Sequence, residues 1–100
     1  MLVRIGNAKD VALGQIRVFD VDGTKVSVAN VDGGLYAFDD TCTHRGCSLA
    51  GGKLDGTSVT CPCHGSQFDV PSGAVLRGPA TRPVRSRAVQ VEGEDLLAEA

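Results

Sequence analysis

The chain has 100 residues, enough for one small domain with a real but limited core. A net charge of −2 argues against a nucleic-acid partner, and no apolar run reaches the roughly 18 residues that cross a bilayer as a helix. Thirteen glycines and no tryptophan favour short strands and tight turns over long amphipathic helices.

In chain order the pattern is β throughout. The N-terminus "MLVRIGNAKD" has no apolar signal core and reads as a strand and a polar turn, so a cytoplasmic location is expected. "NAKDVALG" is the one place where a helix could start, and Gly14 ends it within a turn or two. "QIRVFDV" alternates as a strand. "VDGTKVSVANVDGGLYAF" holds two turn signals, Asp22-Gly23 and Asp32-Gly33-Gly34, between β-rich runs, which makes a meander of hairpins. "TSVTC" and "SQFDV" are short strands flanking a turn at 62–65. "PSG" turns into "AVLRG", "RPVRSRAVQVEG" alternates from Val84 to Val91, and "GED" turns into "LLAEA". The fold class is all-β, as a barrel or stacked sheets. A glycine-rich excursion bearing cysteine and histidine, roughly residues 40–70, is inserted between strands.

Charge is uneven along the chain. Residues 40–90 carry six basic side chains (Arg45, Lys53, Arg77, Arg82, Arg85, Arg87) against three acidic ones, while the last ten residues carry four acids and no base. The plain reading is a solvated surface. The alternative is a basic docking patch.

All four cysteines and both histidines fall within "CTHRGCSLAGGKLDGTSVTCPCHGS", residues 42–66. Cys42-Thr43-His44 and Cys61-Pro62-Cys63-His64 each offer one thiol and one imidazole from a tight loop. Three readings compete. Structural zinc takes mixed ligands, but zinc fingers usually pair like with like, whereas here each loop supplies one of each kind. A disulfide scaffold leaves both histidines unexplained. A [2Fe–2S] cluster with cysteines on one iron and histidines on the other needs two of each, supplied by two loops.

The double motif resembles the Rieske iron–sulfur signature. So do the flanks "VDGGLYAFDDTCTH", "GGKLDG" and "HGSQFDVPSGAVLRGPA", so the similarity covers most of the chain. The resemblance implies stacked antiparallel sheets, with a cluster-binding subdomain at about 40–70 and a basal β unit from 1–39 and 71–100. It implies Cys42 and Cys61 on an inner iron, with His44 and His64 on an outer iron that reaches solvent. It further implies a disulfide between Cys47 and Cys63, read as equivalent positions that follow the first ligand of each loop. Such a bond closes a loop of about 15 residues and is worth around 3 kcal/mol on a chain-entropy account. Ferredoxins serving oxygenases usually lack this pair, which is found in quinol-oxidising complexes. A disulfide also sits uneasily with a cytoplasmic chain.

The ligand set has an electrostatic consequence. Two ferric ions, two sulfides and two thiolates sum to zero charge, against −2 for four thiolates. An electron therefore enters more easily, within a family range of roughly −150 to +300 mV. By resemblance, Ser66 donates to a bridging sulfide, and Phe68 stands where high-potential members carry a tyrosine that donates to a cysteine sulfur. An intermediate potential is expected. Arg45, Pro79 and Arg82 are candidate docking residues around the histidines. The expected role is a one-electron carrier and not an enzyme. It would be monomeric and take electrons from a reductase to an oxygenase. A subunit or fragment of a nitrite reductase or a quinol-oxidising complex is the alternative, with a zinc-stabilised interaction module behind it.

Overall fold

The computed structural model describes all 100 residues. In chain order the strands are β1 (Leu2–Asn7), β2 (Ile16–Val21), β3 (Thr24–Val31) and β4 (Gly34–Asp39). Then come β5 (Lys53–Asp55), β6 (Ser58–Thr60), β7 (Gln67–Asp69) and β8 (Val75–Arg77). The chain closes with β9 (Ser86–Arg87), β10 (Val89–Glu92) and β11 (Asp95–Glu99). They form three antiparallel sheets: β1-β11-β10, β2-β3-β4-β9 and β5-β6-β7-β8.

The β2-β3-β4 meander forms because its two turns satisfy themselves locally. Asp22 and Gly23 both take positive φ, as do Asp32 and Gly33, the backbone that a two-residue hairpin needs. In each case a side chain from the preceding strand closes the turn. Asp20 Oδ1 accepts from the Gly23 N–H at 2.8 Å, and Asn30 Oδ1 accepts from the Gly33 N–H at 2.9 Å.

Alternation along β3 and β4 then divides the interior into two cores. Val26, Val28 and Ala37 face one way, packing with Val11, Val21 and Leu96 against the terminal β1-β11-β10 sheet. Ala29 and Phe38 face the other way, into a second core with Leu49, Val59, Phe68 and both Cys42 and Cys61. The middle sheet is thus buried on both faces, and the cysteine-bearing loops rest on one of them. Phe38 and Phe68 have no exposed surface, and burying each stabilises the fold by about 1.5–3 kcal/mol.

Several expectations shift. "NAKDVALG" makes only a 3-10 turn, Ala8–Asp10, where Asn7 Oδ1 accepts from the Lys9 N–H at 2.8 Å. "RPVRSRAVQVEG" is not one strand. Its first part, β9, pairs with β4 in the middle sheet, and its second part, β10, pairs with β11 in the terminal sheet. Alternation continues through Ala88 while the partner changes, so periodicity alone shows a single run. Arg87 secures the crossing: its guanidinium bonds Asp39 of β4 and the carbonyl of Glu99 in β11, and only 7% of its surface stays exposed. The sheet that carries the loop at 61–66 extends to Arg77 and does not end near residue 70, because β8 pairs with β7. Strand β5 and the 3-10 turn Leu49–Gly51 lie in "LAGGKLDG", where the glycines hid any period.

Gly73 closes the approach of this third sheet to the segment before β9. Its φ is +80°, and a Cβ there would lie 2.1 Å from the Val84 carbonyl oxygen. Gly23 has a similar φ of +84° with open space around it. Gly23→Ala is expected to cost about 1–2 kcal/mol for the backbone alone. Gly73→Ala must also displace main chain, so its urea midpoint should fall further than that of Gly23→Ala.

Candidate metal centre

Two loops, residues 42–47 and 61–66, repeat one backbone device. In the first, the Cys42 N–H donates to the Cys47 carbonyl and the Gly46 N–H to the Cys42 carbonyl, both at 2.8 Å. In the second, the Cys61 N–H donates to the Ser66 carbonyl at 2.8 Å and the Gly65 N–H to the Cys61 carbonyl at 3.2 Å. Gly46 and Gly65 occupy the same place in each hook, with φ of 78° and 80°, which a side chain would strain. This register corrects one expectation. The backbone counterpart of Cys47 is Ser66, and that of Cys63 is His44, so Cys47 and Cys63 are not equivalent positions. They are nevertheless joined as a disulfide, with Cα atoms 6.5 Å apart.

Cys42 and Cys61 are free thiols at the base of the two hooks, 2% and 3% exposed. Burial pushes the Cys61 thiol up. Backbone hydrogen bonds from Cys63 and His64 pull it back, and its contact with Cys42 adds to the rise. His44 and His64 sit further out, half-buried and exposed, with ring centroids 5.1 Å apart and planes at 89°. His44 Nδ1 is buried and has no hydrogen-bond partner. An orphaned buried nitrogen costs about 1–3 kcal/mol, so this atom is placed for something other than a hydrogen bond. The sulfurs of Cys47, Cys61 and Cys63 lie within 4.8 Å of one another. Two of these are bonded to each other, so the trio sets the clasp against Cys61 and is not a separate ligand set.

A third segment, running from the cis Gly78–Pro79 bond to Arg82, is pinned to both hooks. Thr43 Oγ1 donates to the Arg82 carbonyl at 2.6 Å, and the Ala80 N–H donates to Ser66 Oγ at 3.0 Å. Ser66 is buried and acts here as acceptor, which leaves its own proton free to donate. Phe68 lies opposite Val59 in the β6-β7 pair, fully buried. Arg45, Pro79 and Arg82 are exposed.

Sequence reasoning missed the support beneath the first hook. Asp40 is 5% exposed, and its Oδ1 accepts from Ser27 Oγ at 2.6 Å and from the Ala50 N–H at 2.8 Å. The Asp40 carbonyl also accepts from the Leu49 N–H at 2.8 Å. A signal was available: Ser27 is the one polar residue in the apolar run "VSVA" of a central strand.

Residues 1–90 match the Rieske [2Fe-2S] domain. The chain belongs to the Rieske family. It is 34% identical, over 96% of its length and 90% of the relative's, to the ferredoxin component of biphenyl 2,3-dioxygenase from Rhodococcus jostii (strain RHA1). It is 31% identical, over 93% of its length and 50% of the relative's, to the cytochrome b6-f complex iron-sulfur subunit of Chlorobaculum thiosulfatiphilum. Among solved structures it resembles a chain in a complex of reduced oxygenase and oxidised ferredoxin of carbazole 1,9a-dioxygenase. The TM-score there is 0.90 and the identity 34%, over 97% of this chain and 91% of that one.

The group of a Rieske domain is a [2Fe–2S] cluster, and the donors present fit it. Two buried thiols lie together, and two imidazoles lie together further out, one with an unspent nitrogen. Zinc and a bare disulfide scaffold are set aside with that assignment.

The clasp leads to a measurable expectation. In the cluster-free chain, changing both Cys47 and Cys63 to serine should lower unfolding free energy by up to about 3 kcal/mol. In the loaded chain the loss should be smaller, because the same two loops are then joined a second way. Guanidinium titration of both forms compares the two losses.

Proposed function

We propose that this Rieske chain is a one-electron carrier that receives electrons from a reductase and delivers them to a terminal oxygenase. Cys42 and Cys61 would hold one iron through thiolates, and His44 and His64 the other through ring nitrogens. When bound, the cluster supplies reversible one-electron chemistry. That ligand set would leave no open metal position for a substrate, so the chain carries charge and leaves conversion of substrate to a partner. The observation that carries this reading is the His44 Nδ1 atom, buried and unpartnered beside His64, above two buried free thiols.

The remaining residues support transfer. The clasp and the pinned 78–82 segment both hold the hooks, so the ligand positions need not rearrange between redox states. His64 is exposed and offers the route outward. Arg45 and Arg82 stand exposed on segments joined by the Thr43 bond, and they would steer an acidic partner face. Ferredoxin components of dioxygenases among the relatives favour an oxygenase as acceptor. No helix is long and apolar enough to cross a membrane. A monomer in the cytoplasm completes the reading.

A second reading, a subunit of a larger redox complex, is favoured by the Cys47–Cys63 disulfide and by the likeness to a cytochrome b6-f subunit.

Purified chain should be red-brown and give an electron paramagnetic resonance signal on dithionite reduction; a colourless, silent protein with full zinc occupancy would sink both readings. Electron delivery to an oxygenase should slow with salt, and charge reversal at Arg45 and Arg82 should abolish that dependence. Salt-independent rates in the unaltered protein would remove the steering role. Protein-film voltammetry checks the tuning pair. Ser66→Ala should lower the potential by removing a donor, and Phe68→Tyr should raise it by adding one; no change in either variant defeats the assignment.

A further inference from the structure

Asp40 is the last buried residue before the first hook. Its main chain and side chain act together. The Asp40 N–H donates to the Lys25 carbonyl at 3.0 Å, and its carbonyl accepts from Leu49. Its Oδ1 takes the hydroxyl proton of Ser27 on β3 and the N–H of Ala50 in the turn after the hook. Thr41 and Ser48 bridge between these anchors. One residue therefore ties the segment before the hook to the segment after it, and ties both to the middle sheet. Ser27 and Leu49 have no exposed surface, so the clamp's anchors lie inside the fold.

The same group carries a charge. Its carboxylate takes both recorded donors on Oδ1 and is 5% exposed, so salt screens it less than an acid on the open surface. Ser27 and Ala50 are neutral donors, and none of the ion pairs in the fold includes Asp40. An uncompensated negative charge two residues from Cys42 opposes the arrival of an electron.

We propose that Asp40 positions the first ligand hook and, as a fixed buried anion, holds the reduction potential of this Rieske centre down. This rests on the electron-carrier reading above. Asp40→Asn separates the two roles, because both recorded hydrogen bonds end on Oδ1, which asparagine retains. Asp40→Ala removes both roles. Glu92→Gln, on exposed β10, makes the same change in net charge at a screened site.

The experiment measures iron per chain, midpoint potential at low and high salt, and amide exchange at Leu49 and Ala50 in the cluster-free chain. Asp40→Asn should load iron fully, exchange slowly and show a raised potential whose shift survives high salt. Glu92→Gln should leave the potential in place. Asp40→Ala should load less iron and exchange faster at both amides. The proposal is overturned if fully loaded Asp40→Asn keeps the unaltered potential, or if Glu92→Gln shifts it equally. It is also overturned if Asp40→Ala exchanges no faster than Asp40→Asn. If the unaltered chain gives no iron–sulfur signal, the carrier reading fails, and the exchange measurement still decides the clamp.

Discussion

Two hydrogen bonds, made twice, set the working end of this molecule. Each hook satisfies the amide and the carbonyl of its own cysteine within six residues. A buried cysteine can therefore sit in a loop without leaving its main chain unpaired, which would cost more than the loop could recover. The glycine four residues on makes the closure possible. From that closure follows the gradient along each hook, with sulfur at the base and imidazole further out. The neighbouring parts of the fold supply a floor and walls for these two turns. The floor is the second core, where Phe38 and Phe68 pack with the two thiols. The walls are the clasp and the segment pinned through Thr43 and Ser66.

The likeness to oxygenase ferredoxins and the disulfide point to different neighbours within one family, and physical chemistry reconciles them. A partner recognises exposed shape and charge, and Arg45, Arg82 and His64 are exposed. A disulfide acts on loop stability instead. The two properties occupy different atoms, so one chain can present a ferredoxin surface over a clasped base. The clasp is half-shielded, with Cys47 partly buried and Cys63 exposed, and it lies against Cys61.

Much of this was legible in the sequence because it is local. Asp-Gly turns announce the meander, since such pairs accept positive φ at adjacent positions where most residues do not. The six chemistry-bearing side chains are confined to two short loops, so their grouping needed no knowledge of the fold. What escaped is non-local. The division of 84–92 between two sheets depends on which strands lie alongside, and alternation is blind to that. The structural counterpart of Cys47 is Ser66, a match of backbone hydrogen bonds that spacing does not reveal. Asp40 looked like one more surface acid. Only its partners, 13 residues back in β3 and 10 residues on, show it to be interior. Thr43 and Ala80 were hidden for the same reason.

The two faces of the middle sheet carry one further consequence. Val26, Val28 and Ala37 belong to a core that holds no ligand and no hook, while Ala29 and Phe38, their neighbours in the same strands, belong to the one that does. Residues adjacent in one strand are too close for their energetic effects to be independent. Packing changes in the far core reach the hooks through the backbone of β3, where Ser27, the donor to Asp40, stands between Val26 and Val28. The two cores lie on opposite sides of one sheet but share its backbone, so a repacking for thermal tolerance is felt at the hooks.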